Sequence, residues 1–289
     1  MKTVIITGAN SGLGFETARK VARNAEFKVV LACRNREKAE AAKEKIISET
    51  GNWNVAVGML DTSSLASVRA FADGIVKSGE SIYALVNNAG ITAMGNSGTT
   101  DEGFELVFAT NYLGHFLLTN LLLPHFEAGG RVLNISSDMH NPPGGLTWPG
   151  AEALAHPAKD DHRKYSYTKL CMIYFTHQLA DRMAKEGRGI TANAFNPGFM
   201  ADTNFAKGNG KMRELMVKTT MPERYGKLET SSDALAQLIT DESFATTSGA
   251  YFDRSTRTAR SSELSYNEQN ATELWLKSEE YTGLNDSKV

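Results

Sequence analysis

Only two cysteines occur among the 289 residues, Cys33 and Cys171, and neither sits in a CxxC or other metal-ligand spacing. A disulfide-stapled scaffold and a cysteine-bound zinc are excluded, and a reduced, cytoplasmic setting is expected. The six histidines show no HExxH pattern, so no metal is expected. No run of ~18 apolar residues is present, which argues against a membrane span. Met1-Lys2 leads straight into the short run Thr3-Val4-Ile5-Ile6, without the length or cleavage pattern of a signal peptide. Charge of one sign is also missing: 31 Lys and Arg face 33 Asp and Glu, and no basic run invites nucleic acid. Proline is scarce, seven in all, and four of them (Pro142, Pro143, Pro149, Pro157) crowd into 138–164. That stretch is expected to be an irregular, functional loop.

What remains is a soluble-type composition, 41% hydrophobic and 22% charged, long enough for a full core. Its first half alternates short β-branched runs with helical spacing, the mark of a parallel sheet covered by helices. Strands are expected at Val4–Thr7, Lys28–Cys33, Val55–Leu60, Tyr83–Val86, Arg131–Ile135 and Gly189–Phe195, with a last one at Ser248–Phe252. Helices are expected to follow the first strand around Phe15, Ala18 and Val21, and at Glu37–Thr50, Leu65–Ile75, Glu105–Phe126, Tyr165–Lys185, Ser231–Thr240 and Asn267–Tyr281. Runs such as Val29-Val30-Leu31-Ala32 are continuously apolar, as strands buried on both faces must be. A second irregular region, 199–227, is expected to hold a short helix. No repeat, low-complexity block or linker divides the chain, so 1–289 reads as a single α/β domain: a Rossmann-type doubly wound parallel sheet with helices on both faces.

Thr7-Gly8-Ala9-Asn10-Ser11-Gly12-Leu13-Gly14 lies between the first expected strand and helix. Glycines there let the backbone approach a pyrophosphate, and free N–H groups with the positive helix end stabilise the anion. The spacing is Gly-x3-Gly-x-Gly rather than Gly-x-Gly-x2-Gly, so its weight comes from its place at the first strand–helix junction. The second strand ends Ala32-Cys33-Arg34, with no carboxylate to bind the ribose 2′-hydroxyl of NAD. Arg34 and Lys38 offer two cations to a 2′-phosphate, which points to NADP; the plainer alternative is a solvated helix start. Asp61 is placed either to meet the adenine amino group or to cap the helix that follows.

Tyr165 and Lys169 are four residues apart on an expected helix and share a face. A phenol with pKa ~10 is a poor acid or base at neutral pH, and a nearby ammonium is expected to favour its phenolate. Tyr167 has no such partner, because its fourth residue onward is Cys171.

With this pair in place, the chain resembles the short-chain dehydrogenase/reductase family across nearly its whole length. The motifs run in order: Thr7 to Gly14, Asn87-Asn88-Ala89-Gly90, Asn111, Ser136-Ser137, Tyr165 with Lys169, and Pro197-Gly198. The resemblance implies that Ser137, rather than Ser136, polarises the reacting carbonyl, that Tyr165 transfers the proton, and that Lys169 holds the cofactor ribose and activates the tyrosine. It implies that Asn111 holds a relay water; the residue alone also reads as a buried asparagine fixing a helix bulge. Asn88, Ala89 and Gly90 would flank the cofactor, as would Pro197 and Gly198, and Thr203 would bind the nicotinamide carboxamide, with Asp202 one position away.

Within the family, Leu31-Ala-Cys-Arg34, Asn111-Tyr-Leu-Gly-His-Phe116 and Tyr165 to Cys171 resemble the branch of retinol dehydrogenases and light-dependent protochlorophyllide reductases. The tail from Glu273 to Leu284 leans to the second of these. That photoenzyme has a functional cysteine directly after Pro-Gly, where this chain has Phe199. Dark carbonyl–alcohol interconversion is therefore the leading expectation, reduction of a tetrapyrrole C=C bond the alternative, and a non-catalytic NADP-binding sensor a third. Met94, Met139, Met200, Met212, Met216 and Met221, with Trp148, Phe199 and Phe205, fall in segments expected to border the nicotinamide end. They suit a bulky apolar small-molecule substrate, or ordinary packing. The resemblance allows a monomer or a homo-oligomer.

Overall fold

The computed structural model describes residues 1–200 and 224–285. Eight strands form one sheet: β1 (Lys2–Thr7), β2 (Phe27–Cys33), β3 (Val55–Met59), β4 (Ile82–Asn87), β5 (Phe126–Ile135), β6 (Thr191–Asn196), β7 (Tyr251–Asp253) and β8 (Thr258–Ala259). Their spatial order is β3-β2-β1-β4-β5-β6-β7-β8, parallel throughout except for the antiparallel β8. The order reverses between β1 and β4, which opens a crevice at the carboxyl ends of the central strands.

The central strands are largely apolar, and their side chains alternate between the two faces, with a break at the register shift between Ile82 and Ala84 of β4. Ile5, Val30, Leu85 and Val132 face one layer, built on Val68 and Phe71 of α3 (Leu65–Lys77), Leu170 and Phe175 of a long helix at Lys164–Glu186, and Leu274 and Trp275 of the terminal helix Glu268–Thr282. Val4, Ile6, Leu31, Val86 and Leu133 face the other, built on Leu13 and Ala18 of α1 (Gly12–Ala22), Ala39 and Ile46 of α2 (Arg36–Thr50), and Leu235 and Ile239 of a helix at Leu228–Thr240. In the middle of the sheet, Asn87 and Asn134 stand opposite in register. Asn87 Nδ2 donates to Asn134 Oδ1 (2.8 Å) and Thr119 Oγ1 (2.9 Å), and Asn134 Nδ2 donates to Thr176 Oγ1 (3.0 Å).

The single helix expected over Glu105–Phe126 is instead composite. Glu105 caps α4 (Leu106–Phe108) by accepting from Phe108 N–H, a π turn spans Ala109–Leu113, α5 runs Gly114–Leu122, and a 3₁₀ turn ends at His125. Phe126 already belongs to β5. The apolar spacing of a π turn barely differs from that of an α-helix, so the pattern alone conceals it. Leu106–His125 is long and apolar enough to cross a membrane, yet 83% of its most apolar window is buried inside the fold, as a core helix must be. The loop 138–164 is less irregular than its prolines imply: it holds a 3₁₀ turn, Asp138–His140, and a short helix α6, Ala151–Ala155, before α7 (Lys164–Glu186). The helices at Leu228–Thr240 and Glu268–Thr282 are α8 and α9.

Candidate active site

The glycine-rich turn is built by conformation and by close contact. Gly8 (φ 67°) and Gly12 (φ 57°) are left-handed, a region that costs other residues energy. A Cβ on Gly14 would lie 2.6 Å from Asn88 Nδ2 and 2.9 Å from the Gly8 carbonyl. Helix α1 begins at Gly12 with no side-chain cap from Ser11 and no acidic residue in its first turn, so the amino-end N–H groups and dipole are offered outward. Leu13 is buried in the core, while Asn10 and Ser11 are half-exposed along the turn. The buried Cys33 thiol hydrogen-bonds the backbone of Ala9 and Asn10 and fixes the turn from below; burial pushes its pKa up to about 11, which keeps it an unreactive thiol. This donor set fits a dinucleotide pyrophosphate.

At the end of β2, Arg34 is exposed and its guanidinium lies 3.9 Å from the Asp61 carboxylate. Lys38 is exposed as well, and its backbone N–H is held by the Asn35 cap of α2. Asp61 does not cap α3. Ser64 does, by accepting from Ser67 N–H, while Asp61 Oδ1 accepts from the Ser63 N–H and hydroxyl. The Asp61 turn is thus rigid and keeps its other oxygen facing Arg34.

The segment after β4 is pinned to β1. Thr7 Oγ1 accepts from the Asn88 and Ala89 N–H groups (both 2.8 Å), and Asn88 Nδ2 donates to the Thr7 carbonyl (2.7 Å). The Asn88 side chain therefore ties strands together rather than reaching into the crevice. Gly90 leaves room for Asn111, whose Oδ1 would lie 3.2 Å from a Cβ there. Asn111 sits in the π turn, as its bulge-fixing reading requires. Its Oδ1 accepts from Ile91 N–H (2.8 Å), and its Nδ2 donates to the Ile91 carbonyl (2.9 Å) and to Thr168 Oγ1 (3.1 Å). Thr168 Oγ1 in turn donates to the Tyr165 carbonyl (2.8 Å).

Ser137, Tyr165 and Lys169 converge where β5 ends against the start of α7. The Tyr165 phenol hydrogen-bonds Ser137, which is half-exposed and accepts from Met139 N–H at 3.2 Å. Ser136 is buried and donates to the Lys169 carbonyl (2.9 Å), so it clips α7 to β5 and does not face the tyrosine. Lys169 Nζ donates to the Ile135 carbonyl (2.9 Å) and stands 5.6 Å from the Tyr165 ring centre. Burial lowers its pKa to about 8. The expected drift of Tyr165 towards phenolate is not what this geometry gives. Burial pushes the phenol up to about 12, the Ser137 hydrogen bond offsets only part of that, and the Asp138 charge adds to it. Tyr165 is held as the acid. Tyr167 packs in the core, 5% exposed.

Pro197-Gly198 closes the far wall. Gly198 (φ 75°) would carry a Cβ 2.7 Å from Gly226 N and 2.8 Å from Arg254 Cδ, and the Pro197 carbonyl accepts from Ser231 Oγ at 2.8 Å. Phe199 packs edge-on against Tyr225, ring centres 5.7 Å apart. Thr203, with Asp202, Phe205, Met212, Met216 and Met221, lies outside the described residues. Three contributors escaped sequence reasoning: Cys33, Thr168 and His115. Thr168 lies between the two residues of the Tyr-x3-Lys motif, and only its neighbour's role drew notice. His115 falls within the Asn111–Phe116 segment that carries the family resemblance, but its apolar helical surroundings gave no sign of a role of its own.

A helix amino end at the reversal point of a parallel sheet, together with a serine, tyrosine and lysine at the mouth of the same crevice, defines a nicotinamide-dependent oxidoreductase that takes a small-molecule substrate. Residues 2–148 match the family model described as short chain dehydrogenase. Over all of this chain and 86% of its own length, human retinol dehydrogenase 13 is 37% identical. Bovine retinol dehydrogenase 12 is 40% identical over 69% of this chain and 61% of its own. A crystal structure of an uncharacterized protein from Mycobacterium paratuberculosis matches with a TM-score of 0.75 and 31% identity, covering 98% of this chain and 94% of that one. The chain belongs to the short-chain dehydrogenase/reductase family.

Proposed function

We propose that the protein is an NADP(H)-dependent enzyme that interconverts a carbonyl and an alcohol on a bulky apolar substrate of the retinoid kind, with Tyr165 as proton donor and acceptor. The observation that carries this reading is the Tyr165–Ser137 hydrogen bond with Lys169 Nζ beside the ring. In the direction of reduction, Ser137 and Tyr165 hydrogen-bond the substrate oxygen, and Tyr165 gives it a proton as negative charge develops there. A phenol whose pKa is pushed up to about 12 is fully protonated at neutral pH and ready for that step. The ammonium of Lys169 then stabilises the phenolate left behind. When bound, the nicotinamide supplies or accepts the hydride. Asn111, through Thr168, holds the first turn of α7 so that Tyr165 stays aimed.

The NADP preference is supported by Arg34 and Lys38, two exposed cations just past β2, whose own end carries no carboxylate; the Asp61 carboxylate stands 3.9 Å from the Arg34 guanidinium. Apolar substrate is supported by the Phe199–Tyr225 pair and by Met94 and Met139, which are exposed at 44% and 37% shortly after Gly90 and Ser137. The names of the similar retinol dehydrogenases point the same way.

The test is oxidation of NADPH and of NADH with retinal and a series of aliphatic aldehydes, first in darkness. Dark turnover that favours NADPH and rises with chain length is expected. Absence of dark turnover, or reduction of added protochlorophyllide only after illumination, overturns the reading.

A further inference from the structure

His115 lies in the first turn of α5, fully buried, and makes two hydrogen bonds in opposite directions. Its Nδ1 is 3.1 Å from the Asn111 carbonyl and its Nε2 is 3.0 Å from Thr7 Oγ1. A carbonyl only accepts, so Nδ1 carries the proton. Both lone pairs of Thr7 Oγ1 are already taken by the N–H groups of Asn88 and Ala89, so the hydroxyl proton is what it has left to offer, and Nε2 at 3.0 Å is a nearer acceptor than the Val86 carbonyl at 3.3 Å. The geometry therefore selects the neutral Nδ1–H tautomer. An imidazolium would aim a second N–H at an oxygen with no free lone pair. The charged group whose field reaches the ring is Lys169, and its sign also opposes protonation.

These two bonds close a ring. Thr7 holds the segment after β4 through Asn88 and Ala89, that segment holds Asn111 through Ile91, and Asn111 holds the amino end of α7 through Thr168. His115 joins Thr7 directly to Asn111, from the base of the glycine-rich turn to the backbone of the π turn. Without it, the Asn111 carbonyl loses the imidazole donor and the Thr7 hydroxyl keeps only the Val86 carbonyl, 3.3 Å away.

We propose that His115 is a positioning residue that locks the cofactor-binding turn and the Tyr165 half of the site into one register, as a neutral imidazole that donates to Asn111 and accepts from Thr7. It touches neither substrate nor cofactor. The inference rests on the site assignment above, but two of its readouts need no turnover. Gln and Asn divide the two bonds between them. The substitution His115→Gln places an acceptor at the Nε2 end, towards Thr7; His115→Asn places a donor at the Nδ1 end, towards Asn111; His115→Phe fills the space and supplies neither.

The experiment combines nitrogen-15 NMR of the wild-type ring, NADPH titration and steady-state turnover. The wild-type ring is expected to show the Nδ1–H tautomer from about pH 5.5 to about pH 8.5, a range in which an ordinary histidine titrates. His115→Gln should keep NADPH affinity within about threefold and lose about tenfold in kcat, the size of one net hydrogen bond. His115→Asn should show the reverse split, and His115→Phe both losses. An Nε2–H tautomer or an imidazolium in the wild type overturns the proposal whatever the variants do, including where one fails to fold. So does a Gln and Asn pair with identical losses, which would mark simple core filling. A chain with no carbonyl turnover but the expected tautomer and affinity pattern would sink the functional reading and leave this one standing.

Discussion

Acidification should loosen this fold in part through one imidazole. In the folded chain, burial lowers the pKa of His115 from 6.5 to about 4, with the Asn111 carbonyl opposing and Lys169 assisting. The unfolded chain therefore takes up this proton first as pH falls. Stability from this source is whole above about pH 6.5, erodes as pH drops through that value, and is exhausted below about pH 4. The full span corresponds to about 3 kcal/mol, and about 2 kcal/mol of it is gone at about pH 5. His140 and His177 are lowered by burial as well and add to the slope, so the wild-type curve alone cannot isolate His115. The comparison that does so is urea unfolding of wild type and His115→Gln at about pH 7.5 and about pH 5, since glutamine does not titrate. Wild type should lose about 2 kcal/mol more than the variant between the two, a difference in midpoint shift of roughly 0.7–1 M urea. Parallel losses in the two proteins would refute the reasoning, because they would place the titrating group elsewhere.

Tyr165→Phe should lower turnover by ~10²–10⁴-fold while NADPH titration stays within a few-fold of wild type, since the phenol acts on the reacting oxygen; near-normal turnover removes it from the proposed role. Arg34→Ala should weaken NADPH by about 10–100-fold, the worth of a charge-assisted bond, and leave NADH nearly unchanged. Equal losses for both cofactors would argue against a 2′-phosphate contact. Gly114→Ala should destabilise by about 3 kcal/mol in urea, because the new Cβ would sit 2.0 Å from the Thr62 carbonyl and backbone must move to admit it. A wild-type midpoint would mean that α3 and α5 yield more easily than their packing implies.

The parallel sheet was legible because several of its strands contain continuous apolar runs separated by helical spacing. Runs such as Val29 to Ala32 and Ala84 to Val86 admit little else. Thr7 to Gly14 and the Tyr165–Lys169 pair were legible because their chemistry demands fixed spacing along the chain. What stayed hidden depends on contacts between distant segments. The π turn at Ala109–Leu113 has no signature beyond Asn111 itself. Strand β8 is two exposed residues, too short for any alternation to show. The first half of β5, Phe126–Gly130, carries two glycines that read as a loop until its pairing with Ile82 is known. The shift of Tyr165 went the other way from expectation because spacing reveals a neighbouring lysine but not how much water the fold removes from the phenol.

The asparagine pair at the centre of the sheet bears on how the chain finds its pairing. A sheet whose strands are apolar on both faces has lost the usual penalty for misalignment: slide β4 against β5 by one residue and one set of valines and leucines replaces another. Asn87 and Asn134 break that degeneracy. Any slipped alignment carries their amides away from each other and from Thr119 and Thr176, and strands them in hydrocarbon at about 1–3 kcal/mol for each unpaired group. Two polar side chains thus act as an alignment key during folding, and replacing them together with Thr119 and Thr176 by valine, so that no partner hydroxyl is stranded, should yield a protein that folds yet pairs its central strands with poorer fidelity.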